Sequence, residues 1–216
     1  EEAAYPSMNS ANGQDQDVDT VLTVRELCRM IKAAHIDVVQ IAEEPLDTPL
    51  GFGSGAGTIF GTTGGVMEAA LRSAYNFITG ENPSVDTFET IRGEKGWREA
   101  TFELPGKKLN IAIAHGLKNA SELLEALSAG EVSYDFVEVM ACPGGCVGGG
   151  GQPIHDGCNS VPDRMEVLRT LDNAAQVRFC HENPMIIACY DNYLGERGSK
   201  RAHELLHTDH TAWSLV

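Results

Sequence analysis

A mixed α/β fold, with mixed sheets flanked by helices, is what the sequence predicts, and three observations carry it. Segments with helical apolar spacing alternate with short strand-like runs. Two such runs, 98–104 and 108–114, are separated by Pro105-Gly106, which signals a hairpin. Glycine-rich stretches sit where one element should hand over to the next.

In chain order, residues 1–20 are polar and read as an irregular entry segment. Thr23 to Ala34 has apolar residues at helical spacing, with Thr23 as N-cap and Glu26 three residues on, the pattern of a capping box. Ile36 to Ile41 reads as a short strand stopped by Glu43-Glu44-Pro45. Val66 to Ile78 is strongly helical, and Gly80 supplies its C-terminal stop. After the hairpin come a helix at Ala120–Leu127 ended by Gly130, and a strand at Tyr134–Met140 that delivers the chain to Cys142. Helices are expected again at about Pro162–Ala175 and at Ser199–His207. No internal repeat or low-complexity linker divides the chain.

At 216 residues the chain can bury a real core, and its 42% hydrophobic and 22% charged residues are ordinary for a globular protein. It carries 31 Asp and Glu against 16 Lys and Arg, a formal charge of -15. Nucleic acid and anionic lipid need a basic surface, so neither is expected as a partner. No apolar run approaches the ~20 residues of a membrane span. The chain opens Glu1-Glu2-Ala3-Ala4, with no Met and nothing like a signal peptide, and so reads as processed or cut from something longer.

Six cysteines are present. A secreted disulfide scaffold would be shorter and denser in cysteine. Cys28 lies in a helical run and Cys189 in the apolar run Met185–Cys189, and both are expected to be buried free thiols. Cys142 and Cys146 differ in their surroundings: six of the twelve residues from Cys142 to Pro153 are glycine. So much glycine costs backbone entropy and implies that something approaches the main chain closely. A Cys-x3-Cys pair at a strand end can hold two corners of a metal site, and thiolates suit iron–sulfur clusters and zinc. Zinc is disfavoured because no second pair follows, and a redox Cys-x2-Cys motif is excluded by the spacing. Glycine amides turned toward sulfur would tune a cluster's potential. A glycine-rich turn with incidental cysteines stays open from spacing alone.

Seven glycines also fall between Gly51 and Gly65. Gly53-Ser-Gly-Ala-Gly57 lacks the Lys and Ser/Thr of a phosphate loop, and as a dinucleotide fingerprint it lacks the third glycine, at Thr58. What remains is a loop that lets the main chain approach a bulky anionic group, shielded by Phe60.

Together these motifs form a resemblance that covers nearly the whole chain. Met140-Ala-Cys-Pro-Gly-Gly-Cys-Val-Gly-Gly-Gly-Gly-Gln-Pro153 resembles the last signature of the iron-only (FeFe) hydrogenases. Gly53 to Arg72 resembles the loop and helix that precede it in that family, and Asp17–Leu27 and His203–His207 also match. The resemblance implies half of an FeFe-hydrogenase-like catalytic domain: residues 1–160 as the H-cluster-binding half, and 161–216 as a helical segment resembling the small subunit. The implied cofactor is the H-cluster, a 4Fe–4S cubane joined to a two-iron subsite with CO, cyanide and azadithiolate ligands, which interconverts protons and electrons with H2. By motif position Cys142 would be a cubane ligand, and Cys146 the ligand that also bridges to the two-iron subsite. Met140 would pack beside that subsite, Phe60 would line its pocket, and the Gly61 amide would face a diatomic ligand.

Two earlier family signatures are absent. Each brings a cubane cysteine; the first also brings the proton-delivering cysteine, and the second a lysine that contacts a cyanide. The resemblance therefore implies a companion polypeptide that carries the missing half of the site and electron-relay clusters. The redox partner would be ferredoxin or a nicotinamide-linked complex. Cys28, Cys158, Cys180 and Cys189 match no family ligand position. Free cysteines and the absence of a signal favour the cytoplasm, although two-chain family members occur in the periplasm.

A second reading, from another class, is a hydrogenase-like iron–sulfur protein for cluster assembly or sensing without turnover. A third, an α/β interaction domain without metal, leaves the glycines unexplained. His155 and Asp156 read as a polar turn rather than a proton relay. His203, His207 and His210 read as packing or surface residues rather than a metal face. Glu68, in the first turn of its helix, reads as a dipole-compensating carboxylate.

Overall fold

The computed structural model describes residues 16–45, 47, 48, 51–154 and 160–207. The expectations placed on His155, Asp156, Cys158, His210 and the first fifteen residues lie outside them. The architecture is mixed α/β, as predicted. In order the elements are α1 (Val24–Ala33), α2 (Gly55–Thr58), α3 (Gly65–Thr79), β1 (Trp97–Leu104) and β2 (Lys107–His115). There follow α4 (Leu117–Ser128), β3 (Phe136–Met140), α5 (Val161–Ala174), α6 (Pro184–Cys189) and α7 (Lys200–Leu206). Compactness groups residues 46–187 in one unit, and residues 1–45 with 188–216 in another.

In the larger unit a three-stranded sheet runs β1-β2-β3. β1 and β2 form the antiparallel hairpin, with Trp97 opposite Ala114 and Leu104 opposite Lys107, while β3 lies parallel to β2 with Met140 opposite His115. β2 is central, and its last five residues, Ile111 to His115, are all buried. Its alternate side chains serve two layers. Ile111 and Ile113 join Met67 and Leu71 of α3, together with Phe88 and Phe102, in the main core. Ala112 and Ala114 meet Leu123 of α4 on the other face, where small residues bring that helix close. Each fully buried aliphatic side chain contributes about 1.5–3 kcal/mol. The sheet thus fixes the C-terminal end of β3, from which the cysteine turn leaves.

Local signals hold where side-chain chemistry dictates them. Gly80 ends α3 with φ 76°, where a residue with a Cβ is disfavoured. In the smaller unit Thr23 caps α1 as a full capping box: its hydroxyl accepts from Glu26 N–H at 3.3 Å, and the Glu26 carboxylate accepts from Thr23 N–H at 2.8 Å.

Two expectations are corrected. Ile36–Ile41 is not a strand but a series of turns. His35 turns left-handed at φ 54°, and the Asp37 carboxylate accepts from Val39 N–H at 3.1 Å, a local bond that competes with strand pairing. Val39 is 83% exposed, so no apolar face holds the run extended. Cys28 and Cys189 are exposed rather than buried. Neither α1 nor α6 has a buried residue, so helical apolar spacing marks a face without supplying its cover.

Candidate metal centre

β3 ends at Met140 and the chain turns at once. The Cys142 carbonyl accepts from Gly145 N–H at 3.0 Å, and a short 3-10 turn at Cys146–Gly148 continues the bend. Gly144 (φ 80°) and Gly145 (φ 93°) both occupy the left-handed region that glycine tolerates. Cys142 is half-buried and Cys146 exposed, and both thiols are free. A Cβ on Gly149 would stand 3.8 Å from Cys142 Sγ, so the glycine run following the turn closes over that sulfur.

Gly145 brings the expected residues together. A Cβ there would meet Thr63 N at 2.8 Å, and Gly61 O and Met140 Sδ each at 2.9 Å. The cysteine turn, the Gly61 main chain and the Met140 thioether therefore converge at one point. Thr63 N–H donates to Gly144 O at 2.9 Å and ties the two glycine stretches together. At Gly61 itself, a Cβ would lie 2.6 Å from Leu168 Cδ1 and 3.8 Å from Val147 Cγ1. Phe60 is 48% exposed on the same loop. A cleft of about 310 Å³ opens beside the turn, lined by Val147, Gln152, Asp163, Arg164, Val167 and Leu168.

Sequence reasoning missed the side chains that position this turn. His115, at the end of β2, is buried, and its Nδ1 accepts from Gly144 N–H at 2.8 Å while Nε2 lies 3.1 Å from Glu94 O. An amide N–H can only donate and a carbonyl can only accept, so the ring is the neutral Nε2–H tautomer. Arg164 holds the far side, donating to Val147 O at 2.9 Å and Pro153 O at 2.6 Å. Glu138, buried on β3, accepts from Gly64 N–H at 2.5 Å and Met67 N–H at 2.7 Å, and so caps the N-terminus of α3 from the strand that carries the cysteines. A lone acidic residue among apolar ones in Phe136–Met140 was the available signal.

Glu138 thus takes the role expected of Glu68. Glu68 is fully buried and bound instead to Arg72 at 2.6 Å, Arg92 at 2.7 Å and Arg169 at 3.2 Å. Burial opposes its charge, but the Arg92 hydrogen bond and the Arg72 charge outweigh it and hold the carboxyl below its usual range. Asp172 on α5 pairs with Arg72 and Arg178, each at 2.7 Å, and its carboxyl is likewise lowered against the opposing effect of burial.

The anionic group approached by the first glycine loop belongs in part to the chain itself. A Cβ on Gly55 would stand 2.3 Å from Asp172 Oδ1, whereas Gly53 and Gly57 face open space. His203 and His207 stack on each other with ring centroids 4.4 Å apart. Among the described residues no group of three or more His, Cys, Asp or Glu side chains is placed to hold a metal ion. What the turn offers is a pair: two free thiols of the soft donor type, backed by glycines whose missing side chains leave room beside them. That donor set fits an iron–sulfur group better than a hard cation.

Comparison with known proteins agrees with this chemistry. The family described as "Iron only hydrogenase large subunit, C-terminal domain" matches residues 1–150, and "Iron hydrogenase small subunit" matches residues 160–213. The NADP-reducing hydrogenase subunit HndD of Solidesulfovibrio fructosivorans is 48% identical over 96% of this chain and 35% of its own length. The periplasmic Fe hydrogenase large subunit of Nitratidesulfovibrio vulgaris is 44% identical over 76% of this chain and 38% of its own. A solved variant of the FeFe-hydrogenase HydA1 from Chlamydomonas reinhardtii superposes with a TM-score of 0.74 at 38% identity, covering 95% of this chain and 59% of that one. At 30% identity, over 98% of this chain and 45% of its own length, stands the mouse cytosolic iron-sulfur assembly component 3. The chain spans about a third of the length of its nearer curated relatives.

Proposed function

The chain belongs to the iron-only hydrogenase family, matching the C-terminal domain of the large subunit, and we propose that it forms one wall of an H-cluster site in a hydrogenase. When bound, the cluster, a 4Fe–4S cubane with a two-iron subsite carrying CO, cyanide and azadithiolate ligands, supplies the redox chemistry that interconverts protons and electrons with H2. Cys142 and Cys146 would hold the cubane as thiolates, and Cys146 would be the ligand shared with the two-iron subsite. Gly144 and Gly145 let the turn bend without side chains in the way. Met140 would pack beside the two-iron subsite and Phe60 would line its pocket, both keeping water away, and the Gly61 amide would face a diatomic ligand. The two remaining cubane ligands, the proton-delivering cysteine and electron-relay clusters come from outside these residues, on a companion polypeptide or on a further part of the same protein. Ferredoxin or a nicotinamide-linked complex serves as redox partner.

The observation that carries this reading is the convergence at Gly145, which gathers the cysteine turn, Gly61 and Met140 within van der Waals range. No described helix is long and apolar enough to cross a membrane. The cytoplasm is the compartment we propose, although one relative is named as periplasmic.

A second reading, cluster assembly or sensing without turnover, is favoured by the relatives named as cytosolic iron–sulfur assembly proteins. Infrared spectra of the anaerobically matured holoprotein, companion included, separate the two. CO and cyanide bands that disappear in Cys146→Ser support the hydrogenase. An iron–sulfur chromophore without those bands overturns it in favour of assembly or sensing. These 216 residues matured alone are expected to evolve no hydrogen with a reduced donor.

A further inference from the structure

Away from the cysteine turn, a third thiol sits in a chain of hydrogen bonds that the family reading does not use. Cys180 opens the 3-10 turn Cys180–Glu182, and its Sγ lies 3.2 Å from Ser73 Oγ on α3. Ser73 Oγ lies 3.0 Å from His181 Nδ1, and His181 Nε2 lies 2.9 Å from Asn82 Oδ1.

The direction of these bonds is set by their far end. Asn82 Nδ2 donates to the Glu182 carboxylate at 2.6 Å, and its Oδ1 accepts from Asn76 Nδ2 at 3.1 Å. The amide orientation is therefore fixed, with its oxygen toward the imidazole. An amide oxygen cannot donate, so His181 Nε2 must carry a proton. In the neutral ring Nδ1 is then unprotonated and accepts from the Ser73 hydroxyl, whose oxygen can in turn accept from the Cys180 thiol. If the thiol proton moves to Ser73 while the hydroxyl proton moves to Nδ1, both bonds to Ser73 reverse, the bond to Asn82 keeps its direction and none is lost. The product is a thiolate hydrogen-bonded by Ser73 and an imidazolium bonded to Ser73 and Asn82. Phe77 packs edge-on against the imidazole, with ring centroids 5.8 Å apart, and Phe179 lies against it at 5.4 Å. These contacts hold the ring at the angle the relay needs.

A nucleophile, a base one hydroxyl away and a third group that orients the base form the arrangement that activates thiols. Cys180 is half-buried, while Cys28 and Cys189 are exposed. If exposure governed reactivity, Cys180 would react last of these three.

We propose that Cys180 is an activated thiol that exchanges with low-molecular-weight disulfides, and so is a site of reversible S-thiolation. The Cys180 proton passes through Ser73 to His181 Nδ1, and the thiolate attacks one sulfur of RS–SR. The disulfide bond breaks as the Cys180–S–SR bond forms, and the departing RS⁻ takes the proton back from His181 and leaves as RSH. The small disulfide is the oxidant, and the exchange conserves electrons. The site lies wholly within the larger compact unit and does not depend on whether the cysteine turn holds an H-cluster.

The test is a rate measured cysteine by cysteine. The full chain is incubated with oxidised glutathione, quenched with acid and mapped by peptide mass spectrometry, with Cys28 and Cys189 as internal references. Cys180 is expected to form its mixed disulfide several-fold faster than either exposed thiol, because only its proton has a relay to leave by. Ser73→Ala and His181→Gln should abolish that advantage while the reference rates and the thermal midpoint stay constant, the midpoint showing that the fold is intact. Ser73→Thr, which keeps the hydroxyl, should retain it. Reaction at Cys180 slower than at Cys28 and Cys189, or unchanged in Ser73→Ala, would overturn the proposal.

Discussion

The two glycine-rich stretches meet at Gly145, yet different chemistry holds each of them. Behind Gly51–Gly65 lies a charged lattice. Glu68 and Asp172 share Arg72, and Arg92, Arg169 and Arg178 complete it. The Cys142–Pro153 stretch is held mainly by backbone, by a neutral His115 and by Arg164 binding only carbonyl oxygens. No carboxylate takes part in these bonds, whereas two carboxylates anchor the lattice behind the other stretch. The difference teaches that glycine density reports a close approach without saying to what. At Gly55 the neighbour is the chain's own Asp172, whereas Gly145 and Gly149 crowd the residues around the thiols.

The largest expected effect would break this contrast at its charged end. Arg72 is 2% exposed and bonded to both carboxylates, so Arg72→Met leaves two buried charges short of a partner. A loss of about 3–5 kcal/mol is expected, read as a fall in thermal midpoint. The same lattice makes an acid prediction. Both carboxyls are held below their ordinary values in the folded state. Their stabilisation is therefore complete above the unfolded values, about 3.9 for Asp and 4.3 for Glu, and is lost as pH falls through the lower folded ones. Thermal midpoints measured from pH 6 to pH 2 should decline below about pH 4. Glu68→Gln should flatten part of that decline.

Next in size comes the turn itself. Alanine at Gly145 would combine a left-handed φ with a Cβ under 3 Å from two backbone atoms and a thioether. A cost on the order of 3 kcal/mol is expected, with loss of bound iron. Gly53→Ala and Gly57→Ala, facing open space in this chain, should leave its stability unchanged. Should they reduce iron in the holoprotein nonetheless, whatever completes the site packs against that loop.

The sequence made the scaffold legible wherever a residue's local chemistry is sufficient. Thr23 with Glu26, Pro105-Gly106 and Gly80 each specify a cap, a turn or a stop without help from distant residues. Cys142, Cys146, Met140 and Gly61 could be singled out because the motif keeps three of them within seven positions, and the fold then brings Gly61 to them. What was not legible depends on pairing across the fold. Glu138 caps a helix 71 residues away, and His115 serves a turn 29 residues on. Nothing in Ile111-Ala-Ile-Ala-His115 announces that role. Glu68 was misassigned because first-turn position suggests a dipole partner, whereas Arg72 one turn on and two arginines from other segments, Arg92 and Arg169, claim it.

A smaller loss of stability than at Arg72 or Gly145 is expected from the substitution that probes the neutral end most directly. His115→Phe keeps an aromatic ring of similar volume but strands Gly144 N–H and Glu94 O. An orphaned buried amide costs about 1–3 kcal/mol, and β2 and β3 remain paired beside it, so the chain should still fold. The turn between the two cysteines, however, loses the bond that fixes its central peptide. Amide exchange at Gly144 should therefore quicken while exchange in β2 stays protected, and cubane content should fall by more than the shift in thermal midpoint implies. In the wild-type protein, long-range proton–nitrogen correlation should find His115 as the Nε2–H tautomer. Finding the proton on Nδ1 would mean that the Gly144 bond is not made. The contrast between a charge-held and a neutrally held stretch would then lose its clearest member.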